Sequence, residues 1–264
     1  QAGGFMNILG SAYLGFGSGA VGEYRMTGGS AYVRNDVVVG NGANSVGLVD
    51  ISGGNFWDQY WVKIGNNASA LATWTQSGGV VTGGHFRVGA IDNARAALYL
   101  NGGRMDVYHW NCSNYGRLHV GAATGSKGGL IVTDGMLTAT MVSVFGAGAN
   151  SYGGLLQSGG LLALQSEVQV GGLGVASALG VWDISGGDVT MRDWFLLGRG
   201  TGNNAGVVTV RDTGRVTVAD NALNRMVFAF SYQGPTTSTN VFTVADGGQF
   251  LGPASSSYYL NIAE

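Results

Sequence analysis

The chain has 264 residues, 49 of them glycine, with 45% hydrophobic residues, 11% charged residues and a formal net charge of −2. High hydrophobicity with low charge excludes a disordered chain; two prolines without a glycine triplet period exclude collagen, and one cysteine excludes a disulfide scaffold. The near-neutral balance leaves no basic footprint for nucleic acid, and no apolar run reaches the ~18 residues of a membrane-spanning helix.

From the N-terminus, glycine turns recur at Gly3-Gly4, Gly28-Gly29, Gly53-Gly54, Gly78-Gly79, Gly102-Gly103, Asp134-Gly135, Gly159-Gly160, Gly186-Gly187, Thr213-Gly214 and Gly247-Gly248. The steps are 24–27 residues except for two longer ones of 32 and 34, so the period is about 25. After each turn comes a short apolar run ending in glycine: VVVG at Gly40, WVKIG at Gly65, FRVG at Gly89, LHVG at Gly121, VQVG at Gly171 and FLLG at Gly198. Val37/Val39, Val62/Ile64, Phe86/Val88, Leu118/Val120, Val168/Val170 and Phe195/Leu197 are apolar, and the residue between them varies: Val38, Lys63, Arg87, His119, Gln169, Leu196. That alternation predicts strands with one face in and one face out.

Before each glycine pair, Val49, Trp74, Leu98, Leu155 and Trp182 occupy one position and predict a second inward column. The links GNGANS, GNNAS, GAIDNA and GAGANS are rich in asparagine and glycine, which tolerate the left-handed conformations of turns. No segment carries a capped helical stripe. One period cannot bury its own apolar face, but stacked periods can. The expected fold is therefore all-β: a right-handed parallel β-helix, one domain over residues 1–264, of about nine coils and roughly 45 Å. Propeller blades need about 40–50 residues, so the period is too short for them.

Two segments depart from the period. Residues 111–116 (NCSNYG), with Cys112, lengthen one coil and read as a surface loop. Residues about 221–243 hold one of the prolines and read as an irregular loop or arm.

The stretch VVVGNGANSVGLVDISGG, Val37 to Gly54, matches the pattern VGxGxxSxGxLxISGG. It resembles the glycine-rich strand repeats of autotransporter-like and PEP-CTERM-type bacterial surface proteins, over nearly all of residues 3–220. The resemblance implies a β-helix at the bacterial cell surface or outside the cell and supplies no catalytic residues. With Gln1 first and no signal peptide, a processed chain or an excised fragment is expected.

Glycoside hydrolysis needs two carboxylates about 5–9 Å apart. Asp50 and Asp183 share a register several coils apart, and Asp188 and Asp193 share a coil with Arg192 beside the second. His85, His109 and His119 form no recognisable motif, with His119 at an outward strand position. No catalytic, metal or cofactor site is expected. Outward threonine columns of the ice-binding kind are absent: Thr73 and Thr75 align with Leu48, Asp50, Tyr99 and Asp183. Trp61, Trp110 and Trp194 each follow a glycine pair at the same offset and are expected as exposed contact aromatics, for sugar rings or a neighbouring subunit.

The ends resemble interrupted repeats. QAGGFMNILG reads as the stretch after a glycine pair, and SYYLNIAE resembles SVGLVDIS, the strand before one. Gly3, Gly4, Phe5 and Ile8 against Tyr258, Tyr259, Leu260 and Ile262 are therefore the expected subunit junction, with a second copy as partner. The first functional reading is a non-enzymatic extracellular subunit stacking head to tail into a filament, sheath or surface layer. The second is an adhesin or passenger-domain fragment binding surface glycans. A polysaccharide-degrading β-helix enzyme comes last.

Overall fold

The computed structural model describes residues 1–108, 116–173, 177–200, 202–218, 226–230, 239–252 and 258–262. Among them there is no helix. The strands stack as a β-solenoid of about eight turns and about 25 residues per turn, close to the nine expected. Each coil supplies one strand to each of three parallel ladders.

The first ladder runs from Val21–Met26 through Val46–Ile51, Leu71–Gln76 and the first part of Arg95–Val107 to Ala205–Val210 and Val241–Val244. The second begins at Phe5–Ile8 and Ser30–Val33 and ends at Arg215–Val218 and Gln249–Leu251. The third holds the short strands ending in glycine: Val37–Val39, Leu118–Val120, Ser143–Phe145, Val168–Val170 and Phe195–Leu197.

The corners explain the glycines. At the turn between first and second ladders the later glycine takes a left-handed backbone, with φ 76° at Gly103 and 83° at Gly135. A Cβ on Gly135 would lie 2.7 Å from the carbonyl oxygen of Gly103 in the preceding coil, so the coils close up only without a side chain there. In four middle coils the strand runs through this corner for 13 residues. The ladder register slips there in two of the pairings, so the predicted turn is in these coils a bulge within a continuous strand. Asparagine serves at the corner leading into the first ladder, with φ 53° at Asn44 and 54° at Asn150. The serine after Asn150 caps that turn: Ser151 Oγ donates to the Gly148 carbonyl at 2.6 Å.

The inward columns form one continuous core. Val49, Trp74, Leu98, Leu155 and Trp182 are all buried, as the repeat predicts. Trp74 packs edge-on to Phe56 and Phe86, and Trp182 edge-on to Phe145. Truncating one of these indoles to alanine would cost roughly 3–5 kcal/mol.

Two expectations are corrected beyond residue 220, where the motif fades but the ladders continue. Within the expected irregular loop or arm at about 221–243, residues 226–230 and 241–243 lie in strands, while 221–225 and 231–238 lie outside the described residues. Met226–Phe230 pairs with Phe195–Leu197 in the third ladder, and Val241–Val244 pairs with Ala205–Val210 in the first. The Phe228 ring stacks on Phe195 at 5.3 Å, which extends the inward column. The likeness of SYYLNIAE to a first-ladder strand also fails: Tyr258–Ile262 pairs with Met226–Phe230, in the third ladder. Joining it to Phe5–Ile8, a second-ladder strand, would leave the first ladder one strand short.

Candidate functional site

Of the carboxylates singled out in the sequence, Asp183 and Asp188 are tied to cations on the adjacent coil. Arg211 grips Asp183 through Nε and Nη2 at 2.9 and 3.0 Å, and Arg215 reaches Asp188 at 2.6 Å. Lys63 reaches Asp36 at 2.6 Å, and Arg199 holds Glu167. These groups neutralise one another across the ladder. Among the described residues no three His, Cys, Asp or Glu side chains converge as a ligand set.

The outer face of the third ladder differs most from expectation. Its varying positions should be solvent-exposed, yet Val38, His119, Gln169 and Leu196 are buried. Trp61, predicted as an exposed contact, is half-buried. Its ring stacks on His85 of the next coil with centroids 4.1 Å apart, and the Arg87 guanidinium lies 4.3 Å from its centre. The matching register is thus filled by neighbours on the same face. Trp194 is half-buried as well, and Trp110 lies outside the described residues, as do His109 and Cys112. His119 opposes Arg87 in register. Burial, with Arg87 and Arg117 adding to it, pushes its pKa down to about 3.

Of the expected junction residues, Phe5 is 69% exposed, while Ile8 packs partly against the core. Gly3 and Gly4 form the corner before them, with φ 75° at Gly4. Tyr258, Tyr259, Leu260 and Ile262 form the last third-ladder strand.

Two features were missed in the sequence. Asp58 occupies an inward position between Val33 and Gly83 of adjacent coils and is 1% exposed. Neither carboxylate oxygen meets a donor at normal hydrogen-bond distance and angle. Burial, then Asp36, push its pKa well above the carboxylate range, against the pull of the Tyr60 backbone N–H and of Lys63. The signal available was an acid two residues after Phe56, where the alternation calls for an apolar side chain.

The second feature is a groove on the outer face of the first ladder. Its floor is Thr73, Ala97 and Gly129, in register on successive coils. One wall is Leu71, Arg95, Lys127 and Tyr152, also in register. The groove has a volume of about 510 Å³ and runs along the solenoid axis. Small floor residues beside a taller wall create it. Leu71 and Tyr152 remain 59% and 38% exposed, and neither Arg95 nor Lys127 forms an ion pair with a described carboxylate.

Fold and faces together define a parallel β-solenoid repeat protein. No protein-family model, curated protein or solved structure matches the chain. No helix among the described residues is long and apolar enough to cross a membrane.

Proposed function

We propose that this chain is a non-enzymatic extracellular binding solenoid, of the bacterial surface class its repeats resemble, and that it holds an acidic polysaccharide along the first-ladder groove. The observation that carries this reading is the groove itself. Two adjacent cations, Arg95 and Lys127, line one wall of a trough running along the stack, with Tyr152 beyond them. Ladder rungs repeat every ~4.8 Å, so an extended polymer meets equivalent floor positions coil after coil. Exposed tyrosine offers a flat apolar face to a sugar ring, and the cations select for carboxylate or sulfate.

Affinity electrophoresis tests it. Polygalacturonate in the gel should retard the protein, neutral dextran should not, and R95Q/K127Q should weaken the retardation. Equal mobility in both gels, or retardation undiminished by the double substitution, would overturn the reading.

Self-stacking into a filament is the second reading. Phe5–Ile8, Ala12–Leu14 and Val21–Met26 are each hydrogen-bonded to one neighbouring strand, so that edge accepts a further coil, of this chain or of a second copy. Phe5, Leu9 and Phe16 beside it are all more than 60% exposed. Sedimentation that stays monomeric across a hundredfold concentration range would remove this reading.

A further inference from the structure

The outer face of the third ladder gathers cations around an aromatic platform. Arg87 lies over the Trp61 ring, which is itself stacked on His85. His119 follows Arg87 in register on the next coil. Arg117 enters that coil one residue before the paired strand, and its backbone N–H donates to His85 Nδ1 at 3.3 Å. Lys63, the preceding member of the column, is already paired with Asp36.

Arg87 and Arg117 are not so paired. Among the described residues neither has a carboxylate within ion-pair distance. Arg87 Nε is buried without a hydrogen-bond partner. A buried guanidinium donor left unsatisfied is costly, and a second guanidinium nearby adds repulsion. Each of the two arginines depresses the protonation of His119, and Arg117 does the same to Arg87, so their fields overlap at one place. One negative group would satisfy the orphan donor and cancel the repulsion together.

We infer that Arg87 and Arg117, backed by the Trp61–His85 stack, form a binding site for an oxyanion: a sulfate, phosphate or carboxylate group, free or carried on a surface polymer. The site belongs to the third ladder and is separate from the Arg95/Lys127 groove of the first. Guanidinium suits such ligands because its planar fork can donate two hydrogen bonds to two oxygens of one group.

Equilibrium dialysis with radiolabelled inorganic sulfate, at ionic strength held constant with sodium chloride, tests the free-anion form. Affinity electrophoresis in dextran sulfate tests the polymer-borne form. Both use the wild-type chain, R87Q, R117Q and the groove variant R95Q/K127Q. The expected result is binding in at least one format, weakened about tenfold or more by R87Q and by R117Q and retained in R95Q/K127Q. Sulfate binding in dialysis identifies a free anion; retardation by dextran sulfate alone identifies a polymer-borne one. Arg117 is exposed, so R117Q keeps the test open even if R87Q does not fold. Absence of binding in both formats, or binding indifferent to both arginine substitutions, would overturn the inference. So would loss only in the groove variant.

Discussion

Trp61 and His85 lie face to face on adjacent coils, centroids 4.1 Å apart and planes inclined by 22°, with Arg87 capping the indole. The stack links two coils through side chains where the register slips after Asp58. Trp61→Ala should therefore destabilise the chain by about 1–2 kcal/mol, and Trp61→Phe by less, because the phenyl ring retains part of the contact with His85 and Arg87. Guanidinium denaturation midpoints check this. Equal midpoints for wild type and Trp61→Ala would mean that the stack contributes nothing.

The sequence made the inward columns legible because two periods coincide there. Val49, Trp74, Leu98 and Trp182 satisfy both the strand alternation and the repeat of about 25 residues. Outer surfaces follow neither rule. Val38 and Leu196 are buried by groups from elsewhere in the chain, which a two-residue period cannot report. The groove is a lack of large side chains at Ala97 and Gly129, and such small residues read as neutral in a glycine-rich repeat. Asp58 was obscured because its coil carries Gln59 and Tyr60 across a register shift, which disguises the inward position.

Asp58 sets a pH dependence of its own. Its folded pKa is raised above the unfolded value, so the folded chain binds the proton more tightly. That contribution to stability is complete below pH about 4 and is lost as pH rises toward the folded pKa. Asp58→Val should remove this loss and raise the melting temperature at pH 8, because valine continues the column of Val33 and Val107. A variant melting below wild type at pH 8 would show that the carboxyl has a partner in solution.

His119 slopes the other way. Its folded pKa, about 3, lies below the ordinary imidazole value of 6.5, so the unfolded chain binds the proton more tightly. Its contribution is complete above pH 6.5 and is lost as pH falls toward 3, with a slope of up to about 1.4 kcal/mol per pH unit. Thermal melts of His119→Gln from pH 4 to 7 should show a flatter acid limb than wild type. Where the two windows overlap above about pH 4 the slopes oppose each other, so the single variants are needed to separate them. An unchanged acid limb in His119→Gln would mean that the imidazole is protonated in the fold.

The corners make the sharpest distinction between two residues that share a left-handed backbone. Gly135, φ 83°, meets the main chain of the preceding coil at 2.7 Å from where a Cβ would sit. Asn150, φ 54°, already carries a side chain in its turn. Alanine at either position pays the left-handed strain of about 1–2 kcal/mol. At Gly135 it must also push two coils apart, because the atoms it meets are backbone and cannot rotate away. Gly135→Ala should therefore lower the melting temperature clearly more than Asn150→Ala, while Asn150→Gly should be neutral or slightly stabilising. Equal losses for the two alanine variants would show that backbone strain alone, and not the close approach of coils, fixes glycine at this corner.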